Sequence, residues 1–338
     1  MKKIAVVILN YNGKKYLEQF LPSVVNYSAD AQIVVADNDS TDGSIEFLEK
    51  AYPQIERILI PENKGFCGGY NYALQRIEAE YFVLLNSDVE VTPNWLLPLE
   101  KWMDNHKEVA ACQPKIKAFH QKEHFEFAGA AGGFIDFLGY PFCRGRVFDI
   151  TEKDEGQYDT PISVFWATGA CLFIRSKIYH ELGGLDEAFF AHFEEIDLCW
   201  RIKNKGMSLY CCPESTVYHV GGGTLSKSSP RKTFFNFRNS LFLLFKNLPF
   251  YSLFPIIFTR LCLDGVAGIR FVLKGEFQNC WAIIKAHFSF YAHITYLLEQ
   301  RKKCAPHKFD FAETYQKSIV FQHFIRKKEK YSDLKFLQ

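Results

Sequence analysis

Residues Tyr81-Phe82-Val83-Leu84-Leu85 are a run of five apolar side chains that ends abruptly in Asn86-Ser87-Asp88-Val89-Glu90. So short an unbroken apolar run reads as a strand covered on both faces, the kind found in a parallel sheet between two helical layers. Its polar end then marks the C-terminal edge of the sheet, where open α/β folds bind ligands. Carboxylates at such an edge, here Asp88 and Glu90, suit Mg2+ or Mn2+, which is commonly held by one or two carboxylates together with substrate phosphates. A plain alternative is that they open a solvated turn before Thr92-Pro93, with Thr as N-cap and Pro at the first helical position. The stretch alone does not choose between these readings.

The same pattern recurs upstream. Ile4 to Leu9 reads as a buried strand ending at Asn10-Tyr11-Asn12-Gly13, and Lys14 to Val25 has helical spacing. Ile33 to Ala36 is a second strand that stops at Asp37-Asn38-Asp39-Ser40-Thr41-Asp42-Gly43, before a helix from Ser44 to Lys50. Asp37, at the strand tip, is placed to accept hydrogen bonds from a base N–H or a ribose hydroxyl, whereas Asp42 reads as a helix cap. Ile58 to Ile60 is a third strand, followed by Glu62-Asn63-Lys64-Gly65-Phe66-Cys67-Gly68-Gly69 and a helix from Tyr70 to Ile77. Glycines before a helix let backbone N–H groups approach an anion, or simply permit a tight turn; the spacing is no dinucleotide fingerprint. Strands alternating with helices make a doubly wound, mostly parallel α/β sheet with a nucleotide-binding half the economical fold.

Further along, Val109 to Cys112 is another strand, and Ala118 to Asp149 is irregular, either an acceptor-side loop or a hairpin. Ser163 to Ile174 reads as a strand pair around a small-residue kink, with a short helix from Arg175 to Leu182 closed by Gly183-Gly184. Glu194-Glu195-Ile196-Asp197 opens a helix that runs to about Lys205. The helix dipole explains one carboxylate there better than three. One lodged between Phe193 and Leu198 is partly desolvated and suited to be a general base. Met207 to Tyr210 and Val217 to Val220 read as two more strands, the second carrying His219 before Gly221-Gly222-Gly223-Thr224.

Charge divides the chain in two. Residues 1–225 carry 21 Lys/Arg against 31 Asp/Glu, whereas 226–338 carry 19 against 7, so an acidic body bears a basic tail that suits an anionic partner. The 10 cysteines include no C-x-x-C pair and read as reduced core residues; with no signal-peptide pattern after Met1-Lys2-Lys3, a cytoplasmic location is expected. Within the apolar stretch from Leu241 to Leu273, the longest charge-free run, Asn247 to Thr259, is 13 residues and contains Pro249 and Pro255. That falls short of the ~20 residues a spanning helix needs. Aromatic and aliphatic residues interleaved with Lys and Arg fit a helix pair lying on the inner face of the cell membrane, with Arg301-Lys302-Lys303 and Arg326-Lys327-Lys328 suited to anionic headgroups. A helical appendage packed on the catalytic domain, or a homodimer interface, is the other reading.

Taken in order, Asp37-Asn38, Asn63-Lys64-Gly65, Asn86-Ser87-Asp88, Gly169, Gly183-Gly184-Leu185-Asp186-Glu187, Glu194-Glu195-Ile196-Asp197-Leu198-Cys199-Trp200-Arg201 and His219-Val220-Gly221-Gly222 resemble a family 2, GT-A-type glycosyltransferase, most closely the bacterial rhamnosyltransferase-like members. The match covers about residues 3 to 245. The resemblance implies a GT-A catalytic domain over residues 1–240, and the composition of 241–338 a basic, amphipathic helical region. It places Asp37 on the nucleoside of a nucleotide-sugar donor, with Asn10, Asn38, Asn63, Gly65 and Asn86 beside it. Asp88 falls on the metal-binding position, with Asn86 and Glu90 as weaker candidates; Asn86 stands where the family more often has a carboxylate. A histidine at the position of His219 completes the metal site in some relatives. Glu195 falls on the general base, where aspartate is usual, and Glu194 is its alternate. Arg238 and Asn239 resemble a segment that reaches the diphosphate or acceptor, a basic helix face being the alternative, while Asp197 and Arg201 look structural. The implied reaction is inverting transfer to a hydroxyl of a glycan or lipid-linked acceptor.

Two other functions compete. A sugar nucleotidyltransferase would want a basic glycine-rich loop after the first strand, which Asn10-Tyr11-Asn12-Gly13 does not supply. A catalytically silent nucleotide-sugar-binding scaffold is kept open by the Asn86 and Glu195 departures. Nucleic acid is disfavoured as a partner, because the basic tail holds no recognisable module.

Overall fold

A computed structural model describes residues 2–221, 229–304, 309 and 311–336. Gly222, Gly223 and Thr224, noted above, lie outside them. The first half alternates β1 (Ile4–Asn10), α1 (Lys14–Tyr27), β2 (Gln32–Asp37), α2 (Ser44–Ala51), β3 (Glu56–Leu59), α3 (Gly65–Leu74), β4 (Tyr81–Asn86), β5 (Val89–Val91), α4 (Leu96–Asn105) and β6 (Val109–Ala118). A run of short strands follows: β7 (Gly133–Asp136), β8 (Pro141–Cys143), β9 (Arg146–Val147), β10 (Ile150–Thr151) and β11 (Ile162–Ser163). Then come β12 (Cys171–Arg175), α5 (Ser176–Glu181), α6 (Glu194–Asn204) and β13 (Ser208–His219). The C-terminal region holds α7 (Pro230–Asn247), α8 (Phe250–Leu273), α9 (Phe277–Ala292), α10 (Ile294–Cys304), β14 (Thr314–Tyr315) and α11 (Ile319–Phe324).

The main sheet runs β11-β13-β6-β12-β4-β1-β2-β3, with β5 paired to β13. Strands β3, β2, β1 and β4 are mutually parallel, and β12 enters antiparallel between β4 and β6. Side-chain alternation along the central strands builds two cores. Ile4, Val6 and Ile8 pack with Leu17 and Leu21 of α1, Leu48 of α2 and Leu99 of α4. Ala5 and Val7 face Tyr70 and Leu74 of α3, with Trp200 of α6 and Leu241 of α7 in the same cluster.

Several expectations are revised. The glycines before Tyr70 are not a loop, because α3 starts at Gly65. A Cβ on Gly69 would lie 2.7 Å from Leu9 Cδ1, so glycine there lets the helix approach β1. The hydroxyl of Thr92 donates to Thr216 O at 2.7 Å instead of capping a helix, and α4 begins only at Leu96. Ser163 and Ile174 do not belong to a strand pair: β11 lies on β13, while β12 fills the gap between β4 and β6. The strands expected at Met207 and Val217 are one strand, β13, interrupted by a register shift between Cys212 and Thr216. Part of the irregular 118–149 segment is a hairpin, β7–β8, in a small sheet ordered β10-β9-β8-β7-β14.

Helix α7 runs unbroken through residue 240, and β14 joins the small sheet, so shared elements tie the C-terminal region to the preceding part of the chain. The strongest tie is ionic. Fully buried Asp197 on α6 accepts from Arg201 Nε at 2.8 Å, Lys246 Nζ at 2.9 Å and Asn247 Nδ2 at 2.9 Å. Burial opposes its ionisation, but Lys246 and Arg201 outweigh that and hold its carboxyl below the usual range. Lys246 also pairs with Asp186. Replacing Lys246 with Met would leave Asp197 and Asp186 short of a buried cation, and loss of one partner of such a set costs about 3–5 kcal/mol. Urea unfolding of Lys246→Met should show a drop of that size; a loss below about 1 kcal/mol, the scale of an exposed pair, would contradict it.

Candidate active site

The C-terminal tips of β1, β2 and β4 lie side by side, with Asn10 opposite Asp37 and Leu9 opposite Asn86. At this edge Asn10 Nδ2 donates to Asp37 Oδ2 at 2.9 Å and to Ser40 Oγ at 3.1 Å, while Asp37 Oδ1 accepts from Ser40 N at 2.9 Å. Asn10 Oδ1 is buried without a hydrogen-bond partner among the described residues. A Cβ on Gly13 would come within 2.6 Å of that oxygen and 3.3 Å of Ser87 Oγ, so glycine there lets the backbone lie against the Asn10 and Ser87 side chains. Asn38 extends the cluster: its Nδ2 donates to Asn63 Oδ1 at 3.1 Å and Gly65 O at 3.0 Å, and its Oδ1 accepts from Lys64 N at 3.0 Å. Asn10, Asp37, Asn38, Asn63 and Gly65 thus form one polar rim. Asp42 stands apart and caps, accepting from Lys14 N at 2.8 Å and Ser44 N at 3.1 Å.

Asp88 follows β4 and meets His219 at the end of β13, with Oδ1 3.1 Å from Nε2. Behind it, Glu126 Oε2 lies 3.3 Å from His219 Nδ1, and Asn86 Nδ2 is 3.5 Å from Nε2. Burial disfavours a charged imidazole, but Glu126 and Asp88 outweigh it and push His219 up to about 10. Gly221, at φ +71°, closes this group, since a Cβ there would lie 2.6 Å from Glu126 Oε1. Glu126 lay in a segment with no recognisable pattern, so spacing gave no signal for it.

Glu90 does not join Asp88 and His219. It stands opposite Tyr218 in the β5–β13 ladder, whereas His219 stands opposite Val89, and directly paired residues share a face. Glu90 therefore points to the other side, where it pairs with Lys122, whose ammonium lies 4.4 Å from the Tyr218 ring centroid. Among the described residues no three His, Cys, Asp or Glu side chains form a ready metal cage. The Asp88–His219 pair nevertheless offers one carboxylate and one imidazole at the same point. Glu126 lies behind the far ring nitrogen as an ion-pair contact without hydrogen-bond geometry, and once Nε2 gives up its proton the Asp88–His219 donor set fits a divalent cation completed by phosphate or water.

Glu194 and Glu195 open α6 after a turn in which Phe190, His192 and Phe193 all have positive φ, at 63°, 69° and 74°. Such backbone is held only when its surroundings over-determine it. Here Asn239 Nδ2 donates to the carbonyls of Phe189, Ala191 and His192 at 3.0, 2.8 and 2.7 Å, and Arg238 Nη2 to those of Ala188 and Phe189 at 2.8 and 3.0 Å. Arg238 and Asn239, expected at the diphosphate or acceptor, instead hold this turn. Unlike Asp197, the two glutamates have no cation: Oε2 of each is buried without a hydrogen-bond partner among the described residues. Burial pushes both carboxyls up, Glu194 further because Glu195 repels it, and Glu195 reaches about 7.

These groups share one edge of the sheet. A Cβ on Gly169 would lie 3.3 Å from Phe66 Cζ and 3.7 Å from Glu195 Cβ, and the adjacent Ala170 O accepts from Asn86 N at 3.0 Å. Gly169-Ala170 therefore separates Glu195 from the strand end that carries Asn86 and Asp88.

The chain is similar to the N-acetylglucosaminyl-diphospho-decaprenol L-rhamnosyltransferase of Mycobacterium tuberculosis, at 23% identity over 64% of this chain and 75% of that protein. It is also similar to the low-salt glycan biosynthesis hexosyltransferase Agl10 of Haloferax volcanii, at 22% identity over 64% of this chain and 66% of that protein. Among solved structures, S. aureus TarS in complex with UDP-GlcNAc matches 85% of this chain and 80% of its own, with a TM-score of 0.56 at 17% identity. The mannosyltransferase PcManGT from Pyrobaculum calidifontis, solved with GDP-Man and Mn2+, matches 90% and 87%, with a TM-score of 0.50 at 14% identity. These likenesses bear out the GT-A fold. The glycosyl transferase family 2 model matches residues 5–183, more than half of the sequence, and the chain belongs to that family.

Proposed function

We propose that this protein is an inverting glycosyltransferase that moves a sugar from a nucleotide-sugar donor to a hydroxyl of a lipid-linked or cell-surface glycan, working at the inner face of the cell membrane. The observation that carries the reading is a pair of carboxylates, buried Glu194 and half-buried Glu195, whose Oε2 atoms are buried without a partner among the described residues, at the sheet edge that also presents Asp88–His219 and the Asn10–Asp37 rim.

In this reading the rim binds the nucleoside: Asp37 and the unpaired Asn10 Oδ1 are acceptors for a base N–H or ribose hydroxyl. Asp88 and His219 would hold Mg2+ or Mn2+, with the Glu126 carboxylate 3.3 Å behind the imidazole. The cation, when bound, supplies a Lewis acid against the diphosphate. Glu195 takes the proton of the acceptor hydroxyl as its oxygen bonds to the anomeric carbon. The bond from that carbon to the diphosphate breaks on the opposite face, so configuration inverts. A base near pH 7 combines availability with driving force, which is what burial gives Glu195.

Glu195→Gln should keep donor-induced thermal stabilisation and lose transfer by about 10²–10⁴-fold, the usual weight of a general base. Unchanged turnover would remove Glu195 from the reaction. In the wild type, kcat/KM should climb as pH rises through about 7, and a flat profile there would count against a carboxylate base.

The raised carboxyls also set a stability profile. Folded, both carboxyls retain protons that the unfolded chain releases near the ordinary value of 4.5, so their stabilising effect is full below that pH; the share of Glu195 is lost as pH rises through about 7, and that of Glu194 as pH rises through its own raised value. Glu194→Gln removes one member of the pair. Its Tm gain over wild type should be larger at about pH 8 than at about pH 5, and an equal offset at both would contradict the buried pair.

A further inference from the structure

On the α7–α9 side, beside the turn that leads to Glu195, runs a groove of ≈ 450 Å³ lined by Pro230, Arg231, Phe234, Gln278, Trp281 and Lys285 among others. Its two cations are exposed, and neither has a carboxylate partner among the described residues. The Arg231 guanidinium sits 5.5 Å from the Phe190 ring centroid and 5.7 Å from that of Phe235. Those two rings stack at 5.6 Å and 11°. Phe190 in turn presses on Gly65, where a Cβ would lie 2.8 Å from its ring, and its carbonyl accepts from Phe66 N at 3.2 Å. Arg231 is thus one aromatic layer from the α3 start and from Phe66, the neighbour of Glu195.

Apolar surface continues outward from the groove. Along α9, Phe277, Trp281, Ile284, Phe288 and Tyr291 are exposed, while Ala282, Ile283, Ala286 and Phe290 are buried. On α8, Phe250, Phe254 and Phe258 are 85%, 78% and 59% exposed, more than a water-facing helix normally leaves uncovered. Residues 229–304 carry 11 Lys/Arg against 3 Asp/Glu, so what covers this face must tolerate or supply negative charge. Among the described residues no helix is long and apolar enough to cross a membrane. An aromatic face rimmed by cations on helices that do not span suits a bilayer interface.

We propose that Arg231 and Lys285 bind the phosphate or diphosphate of a lipid-linked acceptor, with Trp281 and Phe234 packing the first part of its hydrocarbon chain and the exposed faces of α8 and α9 resting in the bilayer. The charge, aromatic walls and place of the groove complement an amphiphile with an anionic head and a long tail. Arg231, in the first turn of α7, also lies where the helix dipole favours an anion. This rests on the transferase reading above and identifies where the acceptor, not the donor, is held.

The test is co-sedimentation of the full chain with zwitterionic phosphatidylcholine vesicles, alone, with a small fraction of polyprenyl phosphate, or with phosphatidylglycerol at matched surface charge. Polyprenyl phosphate should recruit the wild type several-fold better than phosphatidylglycerol, and Arg231→Ala/Lys285→Ala should lose that preference while keeping its nucleotide-sugar thermal shift. Equal recruitment by both anionic lipids, or a double variant that keeps the preference, overturns the groove as a head-group site. Trp281→Ala, which leaves both charges, should weaken binding to the polyprenyl vesicles, and unchanged binding overturns its packing role. The donor shift is read separately, so failure here is distinguishable from failure of the transferase reading.

Discussion

The site depends on the buried contact between Asp197 of α6 and Lys246 of α7, closed by Arg201 and Asn247. Desolvating these charges is costly, and the attraction offsets it only because each oxygen of Asp197 has a partner. The contact fixes the start of α6 against α7. Asn239 and Arg238 on the same helix then impose the left-handed turn at Phe190, His192 and Phe193, where each such residue costs of order 1–3 kcal/mol. Neighbouring carboxylates consequently meet opposite fates. Asp197 is neutralised by cations, whereas Glu194 and Glu195 have none among the described residues and hold their protons to higher pH.

The sheet supplies the other half of the geometry. Strands buried on both faces put every polar residue that cannot be buried at their ends, and parallel pairing brings the ends of β1, β2 and β4 to one edge. Asn10, Asp37, Asn86 and Asp88 are therefore assembled by register as much as by individual contacts. The antiparallel strand β12 and the long β13 then carry Gly169 and His219 to the same edge from distant sequence. Glycine at 13, 65 and 169 lets the Asn10, Phe190 and Phe66 side chains pack against bare backbone there.

Much of this was legible in the sequence because it is local. Apolar runs ending in Asn or Asp located β1, β2 and β4, Asp42 read as a cap from its place before a helix, and Asp197 and Arg201 read as structural. What failed to show was long-range. Glu126 touches His219 from a segment without periodicity, and Glu90 was turned away by the face it occupies in a ladder that spacing does not reveal. Arg238 and Asn239 look like ligand-binding residues in one dimension, yet their partners are backbone carbonyls about 50 positions away. The glycines after Lys64 read as a loop because their purpose, close approach of α3 to Leu9, is a tertiary contact.

The central claim is that the edge formed by Asn10, Asp37, Asp88 and His219 holds a nucleoside diphosphate sugar. Thermal denaturation with UDP-, dTDP- and GDP-sugars, with and without Mn2+, addresses it directly. A ligand at about 100 times its Kd adds about 2.7 kcal/mol to the folded state. The account predicts that at least one sugar nucleotide raises Tm, more with Mn2+ than without, and that Asp37→Ala abolishes the rise while leaving the circular dichroism spectrum unchanged. A protein indifferent to all three nucleotides, or an Asp37→Ala variant that responds like wild type, would contradict it.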